Sequence, residues 1–439
     1  MAADFDQYNL KRAKLLSRRM NIWLYTYVHA NLKAADHEQV LSAVRLHSDV
    51  EIAQFNHYVQ ERQTIPNDPS FTNQWALNNT GQTGGTPDAD IDAPEAWDIA
   101  VGDTTAKGDQ VVVAIVDGGC DLNHVDIDFW KNTDEIPNNG LDDDGNGYID
   151  DYDGWNAYNS NGNVPSSSHG THVAGIAAAI GNNGTGVSGV NWGVKVMPIG
   201  GSSGTESIVV EAYGYVLELR ATYNATNGVM GAFVVATNSS FGVDFGQPAN
   251  FPIWCAMYDS MGLAGILSAA ATANQNIDID VQGDVPTACP SDYLLSVTNT
   301  THTDVKNSGA AFGATTIDLG APGTNVYSTL PGNSYGNLTG TSMATPQVCG
   351  AVGFLYSVAC PGFINAYKND PGTYALMIKQ AILDGTDPNA SLAGITVSGG
   401  RLNIYNSALL MQAINCGVTI SHTPLMDTQD TLNDYEVLA

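Results

Sequence analysis

Val111-Val112-Val113-Ala114-Ile115-Val116-Asp117-Gly118-Gly119 is the stretch on which the reading of this chain turns. Its six apolar, mostly β-branched residues run without a polar interruption, the pattern of a strand covered on both faces. Such strands belong to parallel sheets, because the crossovers that join parallel strands place helices on both sides. Gly118-Gly119 ends the run, so Asp117 is expected at the strand's carboxyl end, the edge where open α/β sheets bind their ligands. Similar runs recur at 194–199, 233–238, 266–271 and 294–297, with helical stretches at 206–223 and 340–357. Strands alternating with helices predict an α/β fold, a parallel β-sheet flanked by helices on both faces.

Two further segments carry residues that complement a carboxylate at that edge. Ser167-Ser168-His169-Gly170-Thr171-His172 opens an Ala-, Gly- and Val-rich stretch that reads as a closely packed helix, and Gly340-Thr341-Ser342-Met343-Ala344-Thr345-Pro346 opens another. A serine hydroxyl is a weak nucleophile at neutral pH; it needs an imidazole to take its proton and a carboxylate to hold that imidazole in the right tautomer. Asp117, His169 and Ser342 supply all three, in that order along the chain. Pro346 is read as a first-turn residue, where a missing N–H costs nothing. A serine at a helix N-terminus also gains from backbone N–H groups that favour negative charge. His172 is read as a packing residue.

In these segments the chain resembles the subtilisin-like serine proteases, the subtilase family, from about Pro66 to Asn406. The resemblance implies a subtilisin-like fold and an endopeptidase acting on protein or peptide substrates through an acyl-enzyme on Ser342. His169 would serve as general base and then acid, oriented by Asp117. The family's first segment usually reads Asp-Ser/Thr-Gly, whereas Gly118 removes the hydroxyl here. That departure motivates a rival reading, a catalytically inactive scaffold or adhesion module on the same fold. In the family an Asn after a buried strand stabilises the oxyanion. Asn274 is that residue here, with the Ser342 N–H as second donor. The resemblance also makes Ser240, Phe241 and Gly242 one wall of the pocket for the P1 side chain, the residue whose carbonyl is attacked. It puts Asp284 near the floor, which implies a preference for Arg or Lys at P1 and self-processing near Arg62-Gln63.

Residues 142–153 fit a twelve-position calcium loop. Ligands are expected from Asp142, Asp144, Asn146, the Tyr148 carbonyl, Asp150 and Asp153, with Gly147 at the sharp turn. Asp143 and Asp151 are read as facing water. No helices are expected to flank the loop, so it is read as an insertion. Family resemblance implies a second calcium site built from Asp68, Asp126, Asn183, Thr185 and Val187.

The 439 residues carry 16 Lys and Arg against 45 Asp and Glu, a net charge of -29, which argues against a nucleic-acid partner. Eight of the basic residues lie in 1–64 with seven acids, so nearly all the excess charge sits on the remainder. Residues 1–64, with strand patterns at 21–28 and 50–59 around an amphipathic helix at 36–48, read as a small α+β domain. The family resemblance makes it a propeptide, an intramolecular inhibitor until cleaved. Residues 65–417 read as the catalytic domain and 418–439 as a linker or the stub of a further β domain. No apolar run is long enough to span a membrane. Residues 1–20 are charged throughout and unlike a signal peptide, while the family resemblance implies a secreted enzyme. Cys255 and Cys289, 34 positions apart, and Cys360 and Cys416, 56 apart, are candidate disulfides for an oxidising compartment. Whether Cys120 and Cys349 pair or stay free is left open.

Overall fold

The apolar run closes into the strand Val112–Asp117, and its side chains alternate between two cores. Val113 and Ile115 enter one, while Val112, Ala114 and Val116 enter the other. In the computed structural model, which describes residues 5–8, 10–27, 34–56, 64–415 and 436–438, this strand lies inside a nine-stranded sheet. From one edge the order is Asp387–Pro388, Gly400–Arg401, Leu319–Pro322, Leu294–Thr300, Leu267–Ala271, Val234–Ser239, Val112–Asp117, Lys195–Gly200 and Trp155–Asn156. Every pairing is parallel except that of the first two strands. The expected α/β sheet is therefore present.

One face of the sheet is covered by the helices Ser168–Ala178 and Thr341–Val358, the other by Glu206–Thr226 and Pro252–Leu263. Small residues let the first two helices approach closely. A Cβ on Gly350 would stand 3.0 Å from the Ala177 carbonyl oxygen, and the strand Val326–Leu330 lies equally close on the first helix, where a Cβ on Gly175 would stand 2.1 Å from Thr329 Oγ1. The helix Thr341–Val358 starts before its proline, so Pro346 lies inside it and not in its first turn. A proline cannot donate to the carbonyl four residues back. That carbonyl belongs to Ser342, and the Ser240 hydroxyl donates to it instead, at 3.0 Å.

The chain divides into two compact units, Gln63–Ile420 and a smaller one made of Met1–Arg62 with Ser421–Ala439. In the smaller unit the hairpin Leu10–Ser17 and Ile22–Tyr27, the helix Ala34–Arg45 and the short strand Gln54–Phe55 surround a core of Phe5, Leu10, Tyr25, Leu41, Val44 and Ala53. Glu436–Leu438, within the segment read as a linker or stub, pairs antiparallel with both Ile22–Tyr27 and Gln54–Phe55. The expected processing site at Arg62-Gln63 lies outside the described residues, as does Cys416, the expected partner of Cys360. Cys255 and Cys289 are joined in a disulfide, while Cys120 and Cys349 are buried free thiols. Among the described residues no single helix is long and apolar enough to cross a membrane.

Candidate active site

Parallel strands deliver the chemistry to one edge. Asp117 ends its strand in register with Gly200, and the adjacent Val116 is level with Ser239. Gly119 then turns the chain with φ +101°, so close to Pro165 that a Cβ would fall 1.9 Å from the Pro165 carbonyl oxygen. Gly118 is similarly confined: a Cβ there would meet Ser167 Oγ at 3.0 Å. Ser167 is the N-cap of the helix carrying His169, its hydroxyl accepting from Gly170 N–H at 3.2 Å. The hydroxyl missing at position 118 thus coincides with a capping serine in the neighbouring space.

Asp117 and His169 form the expected pair. Nδ1 of His169 lies 2.8 Å from Asp117 Oδ2, while Asp117 Oδ1 accepts from Gly118 N–H at 2.7 Å. Burial, the largest influence on His169, lowers its pKa, but the hydrogen bond and charge of Asp117 together outweigh it and lift the imidazole above its ordinary 6.5. His172 behaves oppositely: burial pushes it down to about 4, and its Nε2 donates to Gly336 O at 3.0 Å. A buried neutral imidazole hydrogen-bonded to backbone is a packing residue, as expected.

Ser342 sits in the first turn of its helix, its Oγ donating to Ser240 O at 3.3 Å. Asn274 is fixed from the other side, because Thr341 N–H donates to its Oδ1 at 3.0 Å and the Thr341 hydroxyl at 3.2 Å. A backbone N–H must meet the oxygen of a carboxamide, so Nδ2 is left as the free donor. The N–H of Ser342, at the start of a helix, has no intrahelical acceptor. Two donors beside a hydroxyl are the elements of an oxyanion site.

A cavity of about 80 Å³ opens beside Ser342, lined by Ser240, Phe241, Gly242 and Asp284 together with Asp244 and Thr272. Asp284 is buried, accepting from Ala273 N–H at 3.2 Å and from the Thr287 hydroxyl at 2.5 Å. Burial raises its pKa to about 6. All four substrate-pocket residues expected from the sequence line one cavity. Sequence reasoning misses Asp244, which carries no signal beyond its closeness to the strand that ends at Ser239.

The loop 142–153 is held together by hydrogen bonds to its own acidic side chains. Asp142 accepts from the N–H groups of Gly145, Asn146 and Gly147, Asp150 from those of Asn139 and Gly140, and Asp153 pairs with Lys131 at 2.5 Å. Asn146 donates through its side chain to Asp144 and Asp151, and Tyr148 packs edge-on against Trp155. As expected for an insertion, no helix among the described residues flanks the loop directly. Asp144 gathers with Glu135 and Asp151, one oxygen of each lying within 4.8 Å of the others. Asp151, expected to face water, is wholly buried, and Glu135 Oε2 is buried without a hydrogen-bond partner. Glu135 lies outside the count altogether, so sequence spacing does not point to it.

At the second expected site Asp68, Asp126 and Asn183 converge. Asp68 accepts from the N–H groups of Asn182, Asn183 and Gly184 and from the Ser188 hydroxyl. Asp126 accepts from Asn183 Nδ2 at 2.8 Å and Val187 N–H at 2.9 Å. Burial, opposed by these bonds and reinforced by the charge of Asp68, raises the pKa of Asp126. Thr185 donates its own N–H to Asn183 Oδ1, and no backbone amide among the described residues donates to the carbonyls of Thr185 or Val187.

An imidazole held by a buried carboxylate, a serine at a helix start and two free donors are the parts that serine hydrolases of the acyl-transfer type employ. The sequence pattern of the Subtilase family matches residues 108–401, and the chain belongs to that family. Thermitase of Thermoactinomyces vulgaris is 30% identical over 78% of this chain and 98% of its own length. The extracellular protease of Xanthomonas campestris pv. campestris is 32% identical over 67% of the chain, which spans about half of that relative. Among solved structures, a protease of Pseudoalteromonas arctica PAMC 21717 shares the fold, with a TM-score of 0.56 at 22% identity over 79% of this chain and 100% of its own. The family and these relatives make the chain a serine endopeptidase.

A general base must be neutral to accept a proton, so activity falls as pH drops through the pKa of His169. Because that pKa is raised, the acid limb of the kcat/KM profile is expected to have its midpoint above pH 6.5. A profile measured on a neutral peptide substrate checks this, and a midpoint at or below 6.5 contradicts it.

Proposed function

We propose that this chain is a secreted, calcium-stabilised serine endopeptidase that cleaves after basic residues. The observation that carries the catalytic reading is the 2.8 Å contact of His169 with Asp117 at the sheet edge that also bears Ser342 and Asn274. His169 Nε2 takes the Ser342 proton as Oγ attacks the peptide carbonyl. Asn274 Nδ2 and the Ser342 N–H meet the resulting oxyanion. Collapse expels the amine, which leaves with the proton from His169. Water, deprotonated by the same imidazole, then releases the acyl group and restores Ser342.

The basic preference is supported by the buried Asp284 in the cavity beside the nucleophile, because leaving such a charge unpaired penalises an apolar P1 side chain. Calcium is supported by chemistry of the donor sets. Glu135, Asp144 and Asp151 offer hard oxygen ligands around an unpartnered carboxylate oxygen, and Asp68, Asp126, Asn183 and the carbonyls of Thr185 and Val187 offer another such set. Bound there, calcium would neutralise carboxylates whose burial otherwise costs stability. Secretion is supported by the disulfide Cys255–Cys289 and by the Xanthomonas relative's description as an extracellular protease. The small N-terminal unit is read as a propeptide removed near Arg62-Gln63.

Ser342→Ala is expected to abolish peptide hydrolysis, because triad members act as a unit worth on the order of 10⁶ in turnover. Ordinary peptidase activity in the purified variant would refute the assignment. Saturating calcium should raise Tm by mass action, by about 2.7 kcal/mol of stability per site at a hundred times Kd. Glu135→Gln should reduce that gain and weaken calcium binding in titration calorimetry. A Tm indifferent to both calcium and chelator at constant ionic strength argues against the metal.

A further inference from the structure

The cavity beside Ser342 holds one more acid than the family resemblance assigns to it. Asp244 lines it with Asp284, and their two short strands pair antiparallel with Asp244 directly opposite Asp284. Like charges in that relation repel, and the charge of Asp244 adds to burial, the largest influence, in raising Asp284. Among the described residues no Lys, Arg or His pairs with either carboxylate. Both bonds to Asp284 fall on Oδ2, which leaves Oδ1 without a partner on a residue only 1% exposed. Gln275 donates to Asp244 Oδ2 at 2.5 Å, which likewise leaves the other oxygen open. Thr272, lining the same cavity, has a buried hydroxyl with no partner.

We propose that Asp244 and Asp284 form a two-carboxylate clamp that selects arginine over lysine at P1. The proposal rests on reading this cavity as the P1 pocket. A guanidinium is planar and presents five N–H donors in a fixed fork, so it serves a buried carboxylate at the floor and a second one at the exposed rim simultaneously. A lysine ammonium is a compact, strongly hydrated point charge that satisfies one of them and leaves the other to solvent. Asp284 therefore demands a cation, and Asp244 decides which cation.

The test uses the full chain, its concentration set by active-site titration, and peptides identical except for Arg, Lys, citrulline or Phe at P1. Wild type should cleave the Arg peptide with a kcat/KM at least about tenfold above that of the Lys peptide, and above its neutral isostere citrulline. Asp244→Asn should collapse the Arg to Lys ratio while both still exceed Phe. Asp284→Asn should remove the advantage of cations over Phe. An unchanged Arg to Lys ratio in Asp244→Asn, or an equal loss on all four peptides, overturns the clamp and leaves the basic preference standing. Wild type that favours Phe and treats citrulline like Arg overturns the pocket reading, and the clamp with it.

Discussion

The site depends on the hold that both neighbouring strands keep on Val112–Asp117. Parallel pairing on each edge brings Asp117 level with Gly200 and Val116 level with Ser239, while the alternating side chains fill a core on either face. With no free edge and no exposed face, the strand cannot slip by one residue without turning its apolar set inside out. The same register brings the ends of Val234–Ser239 and Leu267–Ala271 to that edge, and with them Ser240 and Asn274. The helices that begin with Ser168 and Thr341 then place His169 and Ser342 against Asp117 and Asn274. Pro346 belongs to the same arrangement, since the carbonyl it leaves unpaired ties the nucleophile's backbone to Ser240.

In so acidic a chain many carboxylates find partners within the fold itself. Backbone amides satisfy Asp142 and Asp68, Lys131 pairs with Asp153, and Arg401 lies between Asp304 and Asp387, 2.8 Å from the latter. Two groups of acids keep an oxygen open. Glu135, Asp144 and Asp151 include a carboxylate oxygen without a partner, and Asp244 and Asp284, paired on neighbouring strands, line one cavity. Like charges gathered in this way are the features on which the proposed metal site and the proposed basic preference rest.

Much of this architecture is legible in the amino-acid sequence. The runs at 111–116, 194–199, 233–238, 266–271 and 294–297 mark five of its strands, because strands buried on both faces carry their signal in consecutive residues. Asp117, His169 and Ser342 stand out because each sits where a strand or helix ends, and local sequence marks such ends, whereas Asn274 is picked out through the resemblance to the subtilase family. What escapes depends on contacts between distant segments. Glu135 joins Asp144 and Asp151 through the folding of an irregular loop whose path no periodicity records. Asp244 meets Asp284 only because two strands of two residues each happen to pair. The placing of Pro346 fails by a single turn, since a proline inside a helix is tolerated when another group takes over the orphaned carbonyl.

The central claim is that Ser342, and no other hydroxyl, is made nucleophilic by this arrangement. The most direct measurement is labelling of the purified chain with a serine-directed fluorophosphonate, followed by peptide mass spectrometry. The account predicts one label per chain, on Ser342, at a rate that falls as His169 becomes protonated. No labelling at neutral pH, or labelling on another residue, would contradict it.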